Sequence, residues 1–130
     1  EVTSSSPSNN SESVLLSAPW VRELLLVVSH AMFLHDGKYP RHTQLVCVLL
    51  FLDSPDGRRF GEVATGEGKT MISALLAGFL AIAGGIHYRI DLVSSSSELS
   101  NDGFNTLEGF FDILGVVSNT NCDLNLPGAA

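Results

Sequence analysis

The sequence predicts an α/β fold: a partial parallel sheet of about three strands with flanking helices, preceded by two N-terminal helices. Three observations carry that expectation. Apolar residues recur at helical spacing through the first part of the chain, and beyond residue 57 short strand-like runs alternate with helical segments. Gly, Pro and Ser clusters punctuate the junctions. Strand–helix–strand alternation implies parallel pairing through right-handed crossovers. No internal repeat is present.

Residues 1–13 are rich in Ser and Asn and form a polar tail expected to stay disordered. Pro19 suits the first turn of a helix over about 18–34, in which Val21, Leu24, Leu25, Val28, Met32 and Phe33 share a face. Asp36, Gly37 and Lys38 break it. A second helix over about 41–52 follows Pro40 and stops at the turn Ser54-Pro55-Asp56-Gly57. The expected strands are 60–64, 87–93 and 116–118. Between them lie helices at 71–83, closed by Gly84 and Gly85, and at 98–114, weakened by Gly103 and Gly109 and closed by Gly115. Phe110 and Phe111, spaced with Leu107 and Leu114, read as core.

Composition narrows the function classes. With 130 residues and 45% hydrophobic content the chain can build a core, which excludes wholesale disorder. Net charge is −7 with only seven Lys plus Arg, so no nucleic-acid partner is expected, since such a protein neutralises phosphates with a basic stripe. The two cysteines, Cys47 and Cys122, show no metal-ligand spacing, and neither do the four histidines. A reduced, cytoplasmic setting is the expectation. Arg22, Glu23 and His30 interrupt the apolar stretch 14–34, and 72–86 is uncharged but short, as a buried helix would be. No signal peptide is expected from the polar start, although Asn9-Asn10-Ser11 matches a glycosylation sequon.

The segment Glu62-Val63-Ala64-Thr65-Gly66-Glu67-Gly68-Lys69-Thr70 carries the chemistry. A triphosphate needs many donors at short range. Gly66 and Gly68 lack Cβ atoms, so backbone N–H groups there can turn inward as an anion nest. Lys69 is placed to reach the β- and γ-phosphates, and the Thr70 hydroxyl to ligate Mg²⁺. The helix that follows points its N-terminal dipole at the anion. Thr65 and Glu67 complete the loop, and Glu67 is expected to face solvent because phosphates repel a carboxylate. Val63 stands where the general pattern has Gly. The bland alternative is a glycine-rich turn before a buried helix, which does not require Lys69 or Thr70.

Four stretches together resemble the SecA preprotein-translocase motor ATPases, in particular their eukaryotic SecA-like branch. They are Pro40-Arg41-His42-Thr43-Gln44, the loop from Gly61 to Thr70, Asp91-Leu92-Val93-Ser94-Ser95-Ser96-Ser97-Glu98-Leu99, and Phe110-Phe111-Asp112-Ile113-Leu114-Gly115 through Asn121-Cys122-Asp123. The likeness covers most of the chain, and only the phosphate loop is specific by itself. It implies the N-terminal part (14–123) of a DEAD-like, RecA-like P-loop NTPase domain, with 124–130 a divergent or truncated end. It also implies a motor for protein targeting and translocation, with unfolded preprotein and a membrane translocon as partners and a cytoplasmic or peripheral-membrane location. Under that resemblance Gln44 reads the adenine edge and Arg41 shapes that pocket, while Thr65, Gly66, Glu67, Gly68, Lys69 and Thr70 hold ATP and Mg²⁺. Ala64 and Asn101-Asp102-Gly103 depart from the bacterial pattern. No acidic pair of the kind that supports hydrolysis is seen, so ATP binding without turnover is expected. The alternatives are a fragment of a helicase-like motor, which shares the loop, and a non-catalytic nucleotide-binding relic.

Overall fold

A computed structural model describes residues 18–54 and 58–122. The expected polar tail at 1–13 and the divergent end at 124–130 lie outside the described residues, as do Pro55, Asp56 and Gly57 of the expected turn. The described residues form α1 (Pro19–Asp36), α2 (His42–Leu52), α3 (Lys69–Gly84), a 3-10 turn (Gly85–His87) and α4 (Ser97–Ile113).

No strand occurs among the described residues, which corrects the expected α/β fold with its partial RecA-like parallel sheet. The three segments assigned to strands run without ladder hydrogen bonds. A strand is a pairing, and apolar or β-branched residues supply only a preference for it. The strands of a parallel sheet are covered on both faces. Here Phe60 is 100% exposed, Val93 93% and Val117 94%, so the side chains that a covered sheet would bury face outward. Side-chain hydrogen bonds are made instead by residues flanking two of these segments. Ser54 Oγ donates to the Arg58 carbonyl at 2.7 Å and Arg59 Nη2 to the Asp53 carbonyl at 2.7 Å, while Gly61 runs over the Phe51 ring. At the other end Asn101 Nδ2 donates to the Cys122 carbonyl at 3.2 Å and Thr120 Oγ1 to Asn101 Oδ1 at 3.2 Å.

The helices form where the spacing predicts. Pro19 occupies the first turn of α1, and Gly37, at φ 75°, closes it by donating to the Phe33 carbonyl at 2.8 Å. The turn that follows returns Tyr39 onto Phe33, the rings 4.5 Å apart and nearly parallel at 8°. At the end of α4, Gly115 (φ 71°) donates to the Asp112 carbonyl and Val116 to the Phe111 carbonyl, the bond pair of a Schellman motif.

α3 is the central element and packs against α1, α2 and α4. Its stretch Lys69–His87 is long and apolar enough to cross a bilayer by length and composition, yet Ile72, Ala74, Leu75, Ala77 and Phe79 are buried against the neighbouring helices. Gly78 lets α4 approach: a Cβ there would stand 2.9 Å from Leu114 Cδ1 and 3.2 Å from Phe110 Cζ. Val28, Ala31 and Met32 from α1, Val48 from α2, and Leu107, Phe110 and Phe111 from α4 complete this core.

The start of α4 is capped by Ser96, whose Oγ accepts from Leu99 N at 3.2 Å. Glu98 sits in this first turn, fully exposed. Its own backbone N–H, then the Ser96 and Ser97 hydroxyls, hold its carboxyl below the ordinary value. A carboxylate depressed in the folded state stabilises above its unfolded value and loses that contribution as pH falls through the folded one. We expect Glu98→Gln to be slightly less stable than wild type at neutral pH and equal to it in acid, as read by urea unfolding at both pH values.

Candidate functional site

The loop at 62–70 is shaped by its glycines and by the first turn of α2. Gly66 adopts φ 85° and Gly68 φ 78°, both in the left-handed region where a Cβ is penalised. Between them Glu67 N donates to the Ala64 carbonyl at 3.3 Å, closing a turn. Gly68 then serves as the N-cap of α3, and the first helical backbone bond runs from Ile72 N to the Gly68 carbonyl at 3.2 Å. The N–H groups of Gly68, Lys69, Thr70 and Met71 precede that bond and have no intrahelical acceptor. A sixteen-residue helix thus presents its N-terminal donors and dipole directly after the glycine turn.

Sequence reasoning brings together Thr65, Gly66, Glu67, Gly68, Lys69 and Thr70, and they lie consecutively along this turn. The side chains of Thr65, Lys69 and Thr70 are exposed. Thr70 carries one exposed hydroxyl oxygen in this turn, beside backbone N–H donors. A single hydroxyl would suit the expected Mg²⁺, an ion which keeps several waters and takes other ligands from a nucleotide. No cluster of three or more metal-ligating side chains occurs among the described residues.

Arg41 and Gln44 stand on the far side of the loop, at the start of α2. Gln44 is only 5% exposed. Its Oε1 accepts from Arg41 N at 2.9 Å, capping α2, and its Nε2 donates to the Glu67 carbonyl at 3.0 Å. Arg41 Nη2 donates to the same carbonyl at 3.0 Å, and it lies 3.4 Å from the Glu67 carboxylate across a half-exposed ion pair. Such pairs contribute about 0–1 kcal/mol. Both Gln44 bonds go to protein groups. The Glu67 carboxylate meets Arg41, a partner that its place in the loop did not suggest. Glycine spacing makes the loop readable, whereas the clamp joins positions 26 residues apart and leaves no local pattern.

A small open cavity of about 200 Å³ lies between α2 and the loop, lined by Gln44, Cys47, Val63, Glu67 and Ile72 among others. Pockets that enclose drug-sized ligands span roughly 300–1,000 Å³. Lys69 and Thr70 do not line it.

The glycines lend themselves to a graded test. At Gly66 a Cβ would meet nothing within 4 Å, so Gly66→Ala incurs only the left-handed backbone penalty, about 1 kcal/mol. At Gly68 a Cβ would also collide with the Gln44 side-chain amide. Gly68→Ala is expected to cost more, about 2 kcal/mol in urea unfolding, because the clamp and the new methyl cannot share that space.

Comparison with known proteins finds no match: no family model, no curated protein and no solved structure is similar to this chain.

Proposed function

We propose that this chain binds the phosphates of Mg·ATP on the loop 62–70, as the nucleotide-binding part of a SecA-like motor ATPase acting in protein targeting and translocation. The observation that carries the reading is the pair of left-handed glycines, Gly66 and Gly68, feeding directly into α3 with Lys69 and Thr70 exposed on its first turn. An anion there meets backbone donors, a helix dipole and one lysine charge within a single turn of chain. The motif order from Gln44 through Thr70 to Glu98 is what extends the reading from an anion site to this motor family. Unfolded preprotein and a membrane translocon are its proposed partners, at a cytoplasmic or peripheral-membrane location. The acidic charge balance favours these over a nucleic acid.

Thermal unfolding in Mg·ATP, against Mg²⁺ alone, tests the proposal. A ligand that binds only the folded chain raises its melting temperature. An unchanged melting temperature at millimolar Mg·ATP would overturn it.

A further inference from the structure

We propose that Arg41 and Gln44 are positioning residues for the phosphate loop, acting on the Glu67 peptide whatever base the ligand carries; the ligand arm of this inference rests on the phosphate-binding reading above. Two donors, Arg41 Nη2 and Gln44 Nε2, converge on one carbonyl, that of Glu67, each at 3.0 Å. The Gln44 amide has a determined orientation: Oε1 faces the Arg41 N–H and Nε2 faces the Glu67 carbonyl. A flip would set donor against donor and acceptor against acceptor, and Gln44 is buried, so water is poorly placed to compensate.

The consequence follows from peptide geometry. No cis peptide occurs among the described residues, so the Glu67 C=O and the Gly68 N–H point in opposite directions. Pulling that carbonyl toward α2 turns the Gly68 N–H away from α2 and off the cavity side. Gly68 must be glycine for two reasons that meet here: its φ is 78°, and its Cα lies against the Gln44 amide. The clamp therefore sets which face of the loop carries donors before any ligand arrives. Ordering the loop in advance removes a cost from binding.

Gln44→Glu separates the two ends of the amide. A carboxylate still accepts from Arg41 N, keeping the α2 cap and suiting the helix dipole, but offers the Glu67 carbonyl no donor. Circular dichroism should stay near wild type, while the melting temperature falls, because a buried carboxylate then faces the Glu67 carbonyl. In the free protein, hydrogen exchange at the Glu67 amide, which donates to the Ala64 carbonyl, should accelerate about tenfold, the equivalent of losing one hydrogen bond to a partly buried group. Dissociation constants for Mg·ATP and for Mg·tripolyphosphate, measured by calorimetry, should rise by the same factor of about ten. Arg41→Lys, at an exposed side chain, should produce a smaller change in the same direction on both readouts.

Weakened Mg·ATP binding with tripolyphosphate untouched would assign Gln44 to the base and overturn the clamp. Unchanged loop exchange in both variants would overturn it as well. If wild type binds neither ligand while the variants still loosen the loop, the phosphate-binding reading fails and the clamp stands.

Discussion

Phe110→Ala is expected to lower the unfolding free energy by about 3–5 kcal/mol, the usual cost of emptying a buried aromatic site. Phe110 has no solvent exposure. It projects from α4 onto the groove that Gly78 opens in α3, with Phe111 at 5.1 Å and His35 at 6.5 Å between ring centroids. Its neighbours Leu114 and Leu107 are carried by or adjoin the same helix and cannot slide across to fill the space. A domain is stable by only about 5–15 kcal/mol, so this single truncation removes a large share. Urea unfolding followed by circular dichroism at 222 nm measures it. Leu26→Ala, at a position 64% exposed, serves as control and should shift stability by about 0.5 kcal/mol or less. Equal losses in the two variants would mean that α4 is not packed on α3 as described.

If Mg·ATP binds as proposed, Lys69→Ala should abolish the stabilisation it confers while leaving the ligand-free protein almost unchanged. Ligand at a hundredfold excess over its dissociation constant stabilises by about 2.7 kcal/mol. The Lys69 side chain is exposed at the first turn of α3, so its removal opens no cavity. Its charge is the one cationic group within 66–70, where the remaining donors are backbone dipoles and a hydroxyl. Differential scanning fluorimetry with and without Mg·ATP measures both quantities. Equal ligand shifts in wild type and variant would remove Lys69 from the site, and a large fall in the ligand-free melting temperature would make it structural. Thr70→Ala provides an internal contrast, since it removes the hydroxyl proposed to meet Mg²⁺ and leaves the lysine in place.

Local chemistry made much of this molecule legible. Pro19 and Gly37 bound α1, Gly84 and Gly85 close α3, and Gly115 ends α4, each through a backbone constraint carried by one residue type. The period of Val21, Val28 and Met32 marks the buried side of α1 in the same way. The glycine turn at 66–68 is legible for a related reason: Gly66 and Gly68 are both left-handed, and composition alone singles out positions that tolerate such angles. Helix ends and glycine turns are decided within about five residues, the distance over which a sequence speaks directly.

Pairing across the chain was not legible. The segments 60–64, 87–93 and 116–118 have strand-like composition, but a strand needs a partner whose register no local window contains. In the fold, α3 and α4 meet each other and α1 directly, and Phe60, Val93 and Val117 remain in solvent. Gln44 marks the same boundary from the side of the site. Its residue type announced a planar amide able to donate and accept, while its partners, Arg41 N on one end and the Glu67 carbonyl on the other, came from the packing of α2 against the loop. Residue identity thus determined the helices, their ends and the glycine turn before α3. Folding chose the partners, because hydrogen bonds and apolar contacts between distant segments depend on which surfaces meet.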